Sequence, residues 1–510
     1  MRKIFAVLLT VAMVMGLNLT AFAAEGDETY SITINNSATG HTYEAYQIFA
    51  GELYAEDGKD PVLSNIEWGT GVSEDGKTAM GDAEAKAESL KTTADAEAFA
   101  QEVAQYLTDE KATSKYDEDA KQYVIENLEP GYYLIKDMDN SLDNTTEGYT
   151  SYILKVVEDV TTDVKSGSTT AVKKVDDKND SNTTENEIIW QDSADHDIGD
   201  RVSFKLEATI AENYADYDTY YLAFHDKESE GLTFDASSVE VYVDGKLITS
   251  GYEVVTATED GCTFEVVFED LKAIDDVQAG SVITVTYESE LNEKAVIGSE
   301  GNPNTMYAEF SNNPNSDQGG DQDDDEDRGK TEDDTVIVFT YKVIVNKVDE
   351  DGKALTGAEF TLEKFVVDEN GTDELDGVKG TWTAIDTVET TPGSTFTFEG
   401  LDDGEYRLVE NDAPDGYNKI DPIYFTVTAS HDIESDDPQL TALSGIAETG
   451  EITFTADVDA GSLSTDVENK QGATLPETGG IGTTIFYVVG AILVLGAAVL
   501  LITKKRMSAE

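Results

Sequence analysis

Short segments in which apolar and polar residues alternate make up most of the chain. They are rich in Val, Thr, Tyr and Phe and are separated by Asp-Gly and Asn-Gly pairs, as in SVEVYVDGKLI, SVITVTYESEL, GSTFTFEGL and PIYFTVTAS. Alternation places every second side chain on one face of a strand, and Asp-Gly or Asn-Gly favours a tight turn between strands. The pattern therefore predicts a mainly β protein made of tandem immunoglobulin-like β-sandwiches.

One region departs from this alternation. Residues 82–128 include DAEAKAESLKTTADAEAFAQEVAQYL, where helix-forming residues are frequent and apolar residues recur with helical spacing. We therefore expect a helical insertion in the first domain.

Both ends of the chain are apolar segments with basic neighbours. Arg2 and Lys3 precede an apolar stretch that ends in the small-x-small pattern Ala-Phe-Ala, which predicts a signal peptide over residues 1–23. Residues 485–502 are apolar, which corresponds to about 27 Å of helix at ~1.5 Å per residue, and KKR follows at 504–506. This end predicts a transmembrane helix with a cytoplasmic basic tail. We expect the rest of the chain to be exported.

Changes in composition divide the exported part. TTDVKSGSTT at 161–170 is a polar connector, and NSDQGGDQDDDEDRGKTEDDT at 315–335 is an acidic linker. The predicted units are an N-terminal domain at 24–165, a middle β-sandwich at 166–335 and a last β-sandwich at 336–471, followed by a terminal segment at 472–510. A length of 510 residues suits about three domains.

Charge and reactive residues exclude several functions. With 105 acidic and 34 basic residues, the net charge is -71, which repels nucleic acid and anionic lipid. The single cysteine, Cys262, precludes an intrachain disulfide, and its alternation with the apolar residues of CTFEVVF predicts a core position. The histidines have no ligand spacing, and the acidic linker lacks the features of an EF-hand loop. We expect no cofactor, no metal and no nucleic acid partner.

Three polar residues of the last domain are predicted to face its core. Alternation puts Lys347 of YKVIVNKVDEDG, Glu410 of YRLVENDAPDGY and Asn469 of TDVENKQG on inward faces. Burial lowers the pKa of a lysine, so that its amine becomes a nucleophile, and a buried acid can polarise an amide and shuttle protons. The residues are thus suited to a Lys347–Asn469 isopeptide bond promoted by Glu410. The alternative is a solvent-facing lysine and an asparagine on an edge strand.

VNKVDEDG, YRLVENDAPDGY and VENK together resemble the Cna-B-type domains of sortase-assembled Gram-positive backbone pilins along the whole last domain. The resemblance implies a sandwich that crosslinks itself in a single turnover. No lysine lies on the predicted first strand of the N-terminal domain, so we expect no internal crosslink there.

The same resemblance extends to the middle domain. VKKVDDKND aligns with VNKVDEDGK, so that Lys174 takes the place of the reactive lysine, and NTMYAEFSNNPN implies Asn312 as its partner. YLAFHDKESEGLTF implies Asp226 as the acid, with Glu207 in reserve. Lys173 stays open as the alternative lysine, because a slip of one residue exchanges the two faces of a strand.

The sequence Leu475-Pro476-Glu477-Thr478-Gly479, with the apolar span and basic tail after it, resembles the LPXTG cell-wall sorting signal. The resemblance implies that a sortase attacks the Thr478 carbonyl, removes the transmembrane helix and passes the acyl group to an amine. In backbone pilins a lysine at the end of the first domain supplies this amine. Here that position implies Lys165, without the tyrosine and proline that usually precede it.

These features favour a structural shaft subunit of a cell-surface pilus that supports adhesion. The implied partners are sortase, other copies of the chain, companion pilins, peptidoglycan and a host-surface receptor. The alternative is a monomeric wall-anchored adhesin or minor pilin, which would not use Lys165 as an acceptor. An exported enzyme has least support. The carboxylates of Asp192, Asp195 and Asp197 in WQDSADHDIGD fit a polar loop that enters a core strand.

Overall fold

The computed structural model describes residues 29–54, 61–142, 145–163, 167–181, 188–258, 260–314, 328–385, 393–448, 450, 452–472 and 488–495. The predicted signal peptide, Lys165 and the residues from Leu475 to Gly479 lie outside this part of the chain. Residues 488–495 are helical. Within the described ranges, no helix has both the length and the apolar character needed to cross a membrane.

The first domain has two sheets with helices inserted between its strands. In the order of the chain, its elements are β1 (Tyr30–Asn35), β2 (Tyr43–Tyr54), β3 (Val62–Trp68), α1 (Glu74–Met80), α2 (Ala83–Ser89), α3 (Thr93–Ala104), β4 (Ala112–Thr113), β5 (Lys115–Asp117), β6 (Gln122–Leu128), β7 (Gly131–Asp137), β8 (Ser151–Val156) and β9 (Val160–Asp163). One sheet has the order β5-β6-β1-β9, and the other has the order β3-β2-β7-β8 with β4 paired to β2.

The helical insertion is present but is displaced from its predicted range. The helices cover residues 74–104, whereas the end of the predicted range, residues 112–128, contains strands β4 to β6. Ser73, Asp82 and Thr92 cap the three helices with their side chains, which explains why the helical sequence divides into short pieces. Phe99 of α3 stacks on Phe49 of β2 at 5.5 Å and anchors the insertion to the sheet.

The middle domain is a sandwich of two larger sheets. Its strands are β10 (Thr170–Asp176), β11 (Trp190–Gln191), β12 (Ser193–Asp195), β13 (Arg201–Thr209), β14 (Leu222–Glu228), β15 (Leu232–Val243), β16 (Lys246–Ile248), β17 (Glu253–Val255), β18 (Phe264–Phe268), β19 (Val282–Leu291), β20 (Asn302–Ser311), β21 (Arg328–Lys330) and β22 (Asp334–Phe339). Short 3-10 helices cover Tyr214–Asp216 and Leu271–Ala273. The sheets have the orders β11-β10-β13-β19-β15-β16 and β12-β22-β20-β14-β18-β17, with β21 paired to β20.

Two sequence predictions for the middle domain need correction. The predicted boundary at residue 335 falls inside β22, which pairs with β20 and β12 and so belongs to the middle sandwich up to Phe339. Cys262 is half-buried rather than in the core, because β18 begins at Phe264 and the alternation does not reach back to the turn. Burial and the neighbouring Asp260 raise the pKa of the Cys262 thiol to about 12.

The last domain is a third sandwich. Its strands are β23 (Tyr341–Val348), β24 (Glu359–Val367), β25 (Asp373–Leu375), β26 (Val378–Ala384), β27 (Thr395–Leu401), β28 (Gly404–Asp412), β29 (Ile423–His431), β30 (Leu440–Ala447), β31 (Thr455–Asp457) and β32 (Ser462–Glu468). The sheets have the orders β27-β23-β32-β31 and β25-β26-β24-β28-β29-β30. The prediction of a mainly β protein with tandem sandwiches and a helical insertion in the first domain is confirmed.

Candidate crosslinking sites

Lys347, Glu410 and Asn469 meet in the core of the last domain. Lys347 lies near the end of β23, next to the parallel strand β32, and Asn469 directly follows β32. Glu410 belongs to β28 in the facing sheet. Each of the three residues is at most 1% exposed. The structure therefore brings together the three residues that alternation places inside this domain.

Glu410 links the other two residues. The Asn469 side-chain amide donates a hydrogen bond of 2.8 Å to Oε1 of Glu410, and the Lys347 amine lies 3.9 Å from the same oxygen. The amine also donates to the main-chain carbonyl of Val467 at 2.8 Å, while the backbone N–H of Ile420 donates to Oε2 of Glu410 at 2.9 Å. Among the described residues, Oδ1 of Asn469 is buried without a hydrogen-bond partner.

The surroundings of Lys347 favour its neutral amine. Burial lowers its pKa to about 8, in spite of the opposing effects of Glu410 and Glu468. The site therefore contains a neutral amine, a side-chain amide next to it and a carboxyl group that is hydrogen-bonded to that amide. These are the groups needed for acyl transfer from asparagine to lysine.

The structure places two of the residues predicted for the middle domain away from Asp226. Lys174 is partly exposed and pairs with the buried Asp192, because Lys173 and Val175 are the residues of β10 that face the core. Asn312 is buried, but its amide donates to the main-chain carbonyls of Leu142 and Glu147 in the first domain at 3.1 and 3.3 Å. Neither residue contacts Asp226. Glu207, the reserve acid, pairs with Lys205 on β13.

A different set of side chains surrounds Asp226. Lys173, Asp226 and Asn304 are each 0% exposed, and Tyr287 is 1% exposed. The Lys173 amine donates to Oδ2 of Asp226 and, at 2.8 Å, to the Tyr287 hydroxyl. That hydroxyl donates to Oδ2 of Asp226 at 2.9 Å and accepts from the Asn304 amide at 2.9 Å. The middle domain thus contains a lysine, an acid and an asparagine in one buried network.

Burial shifts the pKa values of the lysine and the acid in this network towards their uncharged forms. It lowers the pKa of Lys173 and raises the pKa of Asp226, although their mutual attraction opposes both shifts. Burial and the nearby Asp226 also raise the pKa of Glu228, opposite Asn304 on the neighbouring strand, to about 7.

Comparison with known proteins gives the context of these sites. Residues 341–438 match the family model for the SpaA prealbumin-like fold domain, and residues 467–508 match the LPXTG cell wall anchor motif. The trypsin-resistant surface T6 protein of Streptococcus pyogenes serotype M6 is 28% identical over 329 residues, which cover 55% of this chain and 60% of the relative.

Comparison with solved structures identifies a pilin with a similar fold. The T6 backbone pilin of serotype M6 Streptococcus pyogenes, described as a modular three-domain structure, superposes with a TM-score of 0.53 at 20% identity, over 88% of this chain and 99% of that one. The chain has the fold and the anchor motif of a Gram-positive backbone pilin. The full-length major pilin SpaD of Corynebacterium diphtheriae is also similar, with a TM-score of 0.48 at 20% identity over 88% of this chain and 98% of that one. The match to the LPXTG anchor motif supports a location at the cell wall.

The first domain of this pilin fold has a different polar core. Ile32 and Ile34 are the inward residues of β1, and His41 bonds to Asp137 through Nδ1 at 2.8 Å. Although burial lowers the pKa of His41, Asp137 and Glu147 raise it to about 9. The expected lack of a crosslink in this domain stays a prediction.

An ionic cluster joins the middle and last domains of the pilin fold. Lys364 of β24 is 1% exposed, and its amine lies 2.7 Å from Asp197 and 2.5 Å from Asp402. Although burial lowers the pKa of Lys364, the surrounding carboxylates raise it. Nearby, the backbone N–H of Val367 donates to the carbonyl of Asp180 at 2.9 Å. The polar segment around Asp192, Asp195 and Asp197 is therefore part of a domain interface rather than a free loop.

Three groups of described side chains lie close enough together to offer ligands to one metal ion. They are His225, Asp260 and Cys262; Asp177, Asp195 and His431; and Asp180, Asp197 and Asp200. Partners within the chain already engage several of these ligand atoms. His225 bonds to Asp260 at 2.9 Å, and Asp197 bonds to Lys364.

Proposed function

We propose that the chain is the shaft subunit of a covalently polymerised cell-surface pilus that supports adhesion. The observation that carries this proposal is the pair of buried lysine, acid and asparagine sets in consecutive domains. Burying such groups costs free energy unless they are closely paired. Conversion to an uncharged secondary amide removes both the ionisable lysine and the primary amide. Formation of this bond therefore explains why such groups are buried.

The proposed chemistry is the same in both domains. In the last domain the Lys347 amine attacks the side-chain carbonyl carbon of Asn469, the bond from that carbon to Nδ2 breaks, and ammonia leaves. One proton moves from the lysine nitrogen to the departing nitrogen, and Glu410 is placed to relay it. In the middle domain Lys173 and Asn304 are the proposed pair, with Asp226 as the acid. Each amine and amide yield one isopeptide bond and one ammonia.

The position of the last-domain bond suits a subunit under tension. β23 is the first strand of this domain and β32 is the last, and the two strands are parallel neighbours. A Lys347–Asn469 bond therefore joins the end of the first strand to the point where the chain leaves the last strand. A force applied to the ends of the domain would act on this covalent bond instead of on the hydrogen bonds between strands.

Polymerisation is proposed to use the sorting motif and a lysine between domains. A sortase would cleave after Thr478 and join its carbonyl to Lys165 of the next subunit. The match of residues 467–508 to the LPXTG anchor motif supports the first half of this step. We propose sortase, further copies of the chain, companion pilins and peptidoglycan as partners, with a host-surface receptor for adhesion. Similarity to structural pilins favours this role over that of an enzyme.

The test is an immunoblot of cell-wall material released from the native bacterium and denatured before electrophoresis. The full chain is compared with Lys165→Arg, Thr478→Ala and a control, Lys353→Arg, which changes an exposed lysine of the last domain. We expect a ladder of multimers for the wild type and the control, and monomer for Lys165→Arg. A single monomer band in the wild type would replace this proposal with the monomeric wall-anchored adhesin.

A further inference from the structure

The middle-domain site contains a buried hydroxyl at its centre. A phenol has one proton to donate and two lone pairs that accept. The Tyr287 hydroxyl uses all three, since it accepts from Lys173 and from Asn304 and donates to Asp226. It therefore contacts both nitrogens that take part in the proposed bond exchange, the attacking one and the departing one.

In the last domain the acid contacts the amide directly, without a hydroxyl between them. There Glu410 accepts directly from the Asn469 amide at 2.8 Å. Asp226 is one methylene shorter than glutamate, and the Asn304 amide bonds to Tyr287 instead. Together, the short acid and the phenol make the link from lysine to amide that the longer acid makes alone.

We propose that Tyr287 is a catalytic residue for the Lys173–Asn304 crosslink and relays the proton from the attacking amine to the departing nitrogen. This inference rests on the proposed function, because it assumes that the crosslink forms. As the bond from Nζ of Lys173 to the Asn304 carbonyl carbon forms, a proton passes from Nζ to the Tyr287 oxygen. At the same time the Tyr287 hydroxyl passes its own proton to Asp226. Tyr287 then donates a proton to Nδ2 of Asn304, which it contacts directly, and recovers one from Asp226 as ammonia leaves. Tyr287 and Asp226 end with the protons with which they began.

The surroundings of Tyr287 suit this role. Burial, Asp226 and Glu228 raise its pKa well above the ordinary value, so that the phenol keeps its proton except while it relays one. Its ring stacks on Phe204 with 5.3 Å between centroids and packs against Phe264 in a T-shaped arrangement with 4.8 Å between centroids. These contacts fix the hydroxyl between the two nitrogens.

The experiment measures crosslinking rates in the full chain. Newly made protein is labelled with heavy-isotope amino acids in a short pulse, and the peptide that joins Lys173 to Asn304 is quantified by mass spectrometry at intervals. The variant is Tyr287→Phe, which removes only the hydroxyl. The control is Tyr220→Phe, a fully buried tyrosine of the same domain whose hydroxyl bonds to Thr169 at 2.7 Å.

Tyr287→Phe is expected to slow the middle-domain crosslink by about 10²-fold, the lower end of the usual effect of general acid–base catalysis. The Lys347–Asn469 crosslink of the same molecules and the Tyr220→Phe variant keep the wild-type rates. Wild-type rates in Tyr287→Phe would overturn the inference and leave the proposed function intact. A wild-type chain with no Lys173–Asn304 peptide would overturn the proposed crosslink itself.

A second variant separates a relay from a packing role. In Tyr287→Phe we add Asp226→Glu, whose extra methylene lets the acid approach the amide as Glu410 does. Recovery of the rate to within about tenfold of the wild type is expected for a relay. If the double variant stays as slow as the single one, Tyr287 contributes only packing and the proposal fails.

Discussion

The amine of Lys347 lies 3.9 Å from Oε1 of Glu410, and the two side chains are fully buried. The side-chain amide of Asn469 donates a hydrogen bond to the same oxygen. The Glu410 carboxyl group therefore lies close to both the lysine amine and the asparagine amide. The proposed self-crosslinking of the last domain depends on this relationship, and substitutions around it have distinct expected outcomes.

Glu410→Ala is expected to leave the last domain without its crosslink and to lower its stability. In the chain-entropy description, a covalent link that closes a loop of about 100 residues stabilises a domain by about 4.7 kcal/mol, and Lys347 and Asn469 are separated by a loop of similar length. The melting temperature of the last domain, followed by calorimetry of the full chain, should fall accordingly. An unchanged transition would mean that Glu410 does not promote a stabilising bond.

The middle domain allows a direct test of which lysine and asparagine react. Lys173→Arg and Asn304→Ala should each abolish the crosslinked peptide of this domain, because the structure places both residues in the Asp226 network. Lys174→Arg and Asn312→Ala are the matched controls, one and eight positions away, and chains with these substitutions should still form the crosslinked peptide. Peptide mapping by tandem mass spectrometry distinguishes the pairs, and loss of the peptide in the two controls alone would restore the assignment based on sequence.

The pKa of Lys347 predicts a pH dependence in a chain that cannot form the last bond. In Asn469→Ala the lysine stays free, and its folded-state pKa of about 8 is below the ordinary value of 10.5. Below about pH 8 both states hold the proton, and folding retains the full cost of burying an ammonium. Between about pH 8 and 10.5 the unfolded chain binds more protons, so stability rises with pH and then levels off.

Denaturant unfolding of Asn469→Ala at pH 7, 9 and 10 measures this rise. Asn469→Ala with Lys347→Met is the control, since it carries no amine at this position, and the difference between the two variants isolates the lysine. A difference that does not change with pH would contradict the lowered pKa.

Lys364→Met is expected to loosen the interface between the middle and last domains. The substitution leaves the buried carboxylate of Asp402 and the partly buried carboxylate of Asp197 without their cation, and breaking a buried ion pair such as Lys364–Asp402 usually costs about 3–5 kcal/mol. Hydrogen exchange of backbone amides should accelerate at residues 177–181 and around Val367. The control Lys353→Met removes an exposed pair with Asp351 and should change nothing. Equal protection in both variants would show that the cluster does not hold the interface.

The last-domain site could be predicted from sequence because alternation fixed the inward face of each strand. Valines precede Lys347 at alternate positions, and Val467 precedes Asn469, so that the apolar residues defined the register. In β10 the signal was ambiguous, since apolar residues occupy both faces in TAVKKVD. The choice between Lys173 and Lys174 therefore required the pairing of this strand with β13.

Asn304 shows a second limit of sequence patterns. Asn302, Asn304 and Asn312 all have the same parity on β20 and its continuation, and all three are buried. Alternation therefore predicts which face of the strand a residue lies on, but not which asparagine lies level with Asp226. That depends on the register of β20 against β14. Tyr287 and the partners of Lys364 come from distant segments, so that no local pattern could reveal them. Their contacts arise only from the packing of sheets and domains.

The most direct test of the central claim is the intact mass of the exported, soluble part of the wild-type chain. Each isopeptide bond removes one ammonia, about 17 Da. We predict a mass lower than the sequence mass by two such losses, one of which disappears in Glu410→Ala and the other in Lys173→Arg, after allowance for each substitution. A wild-type mass equal to the sequence mass would contradict the account.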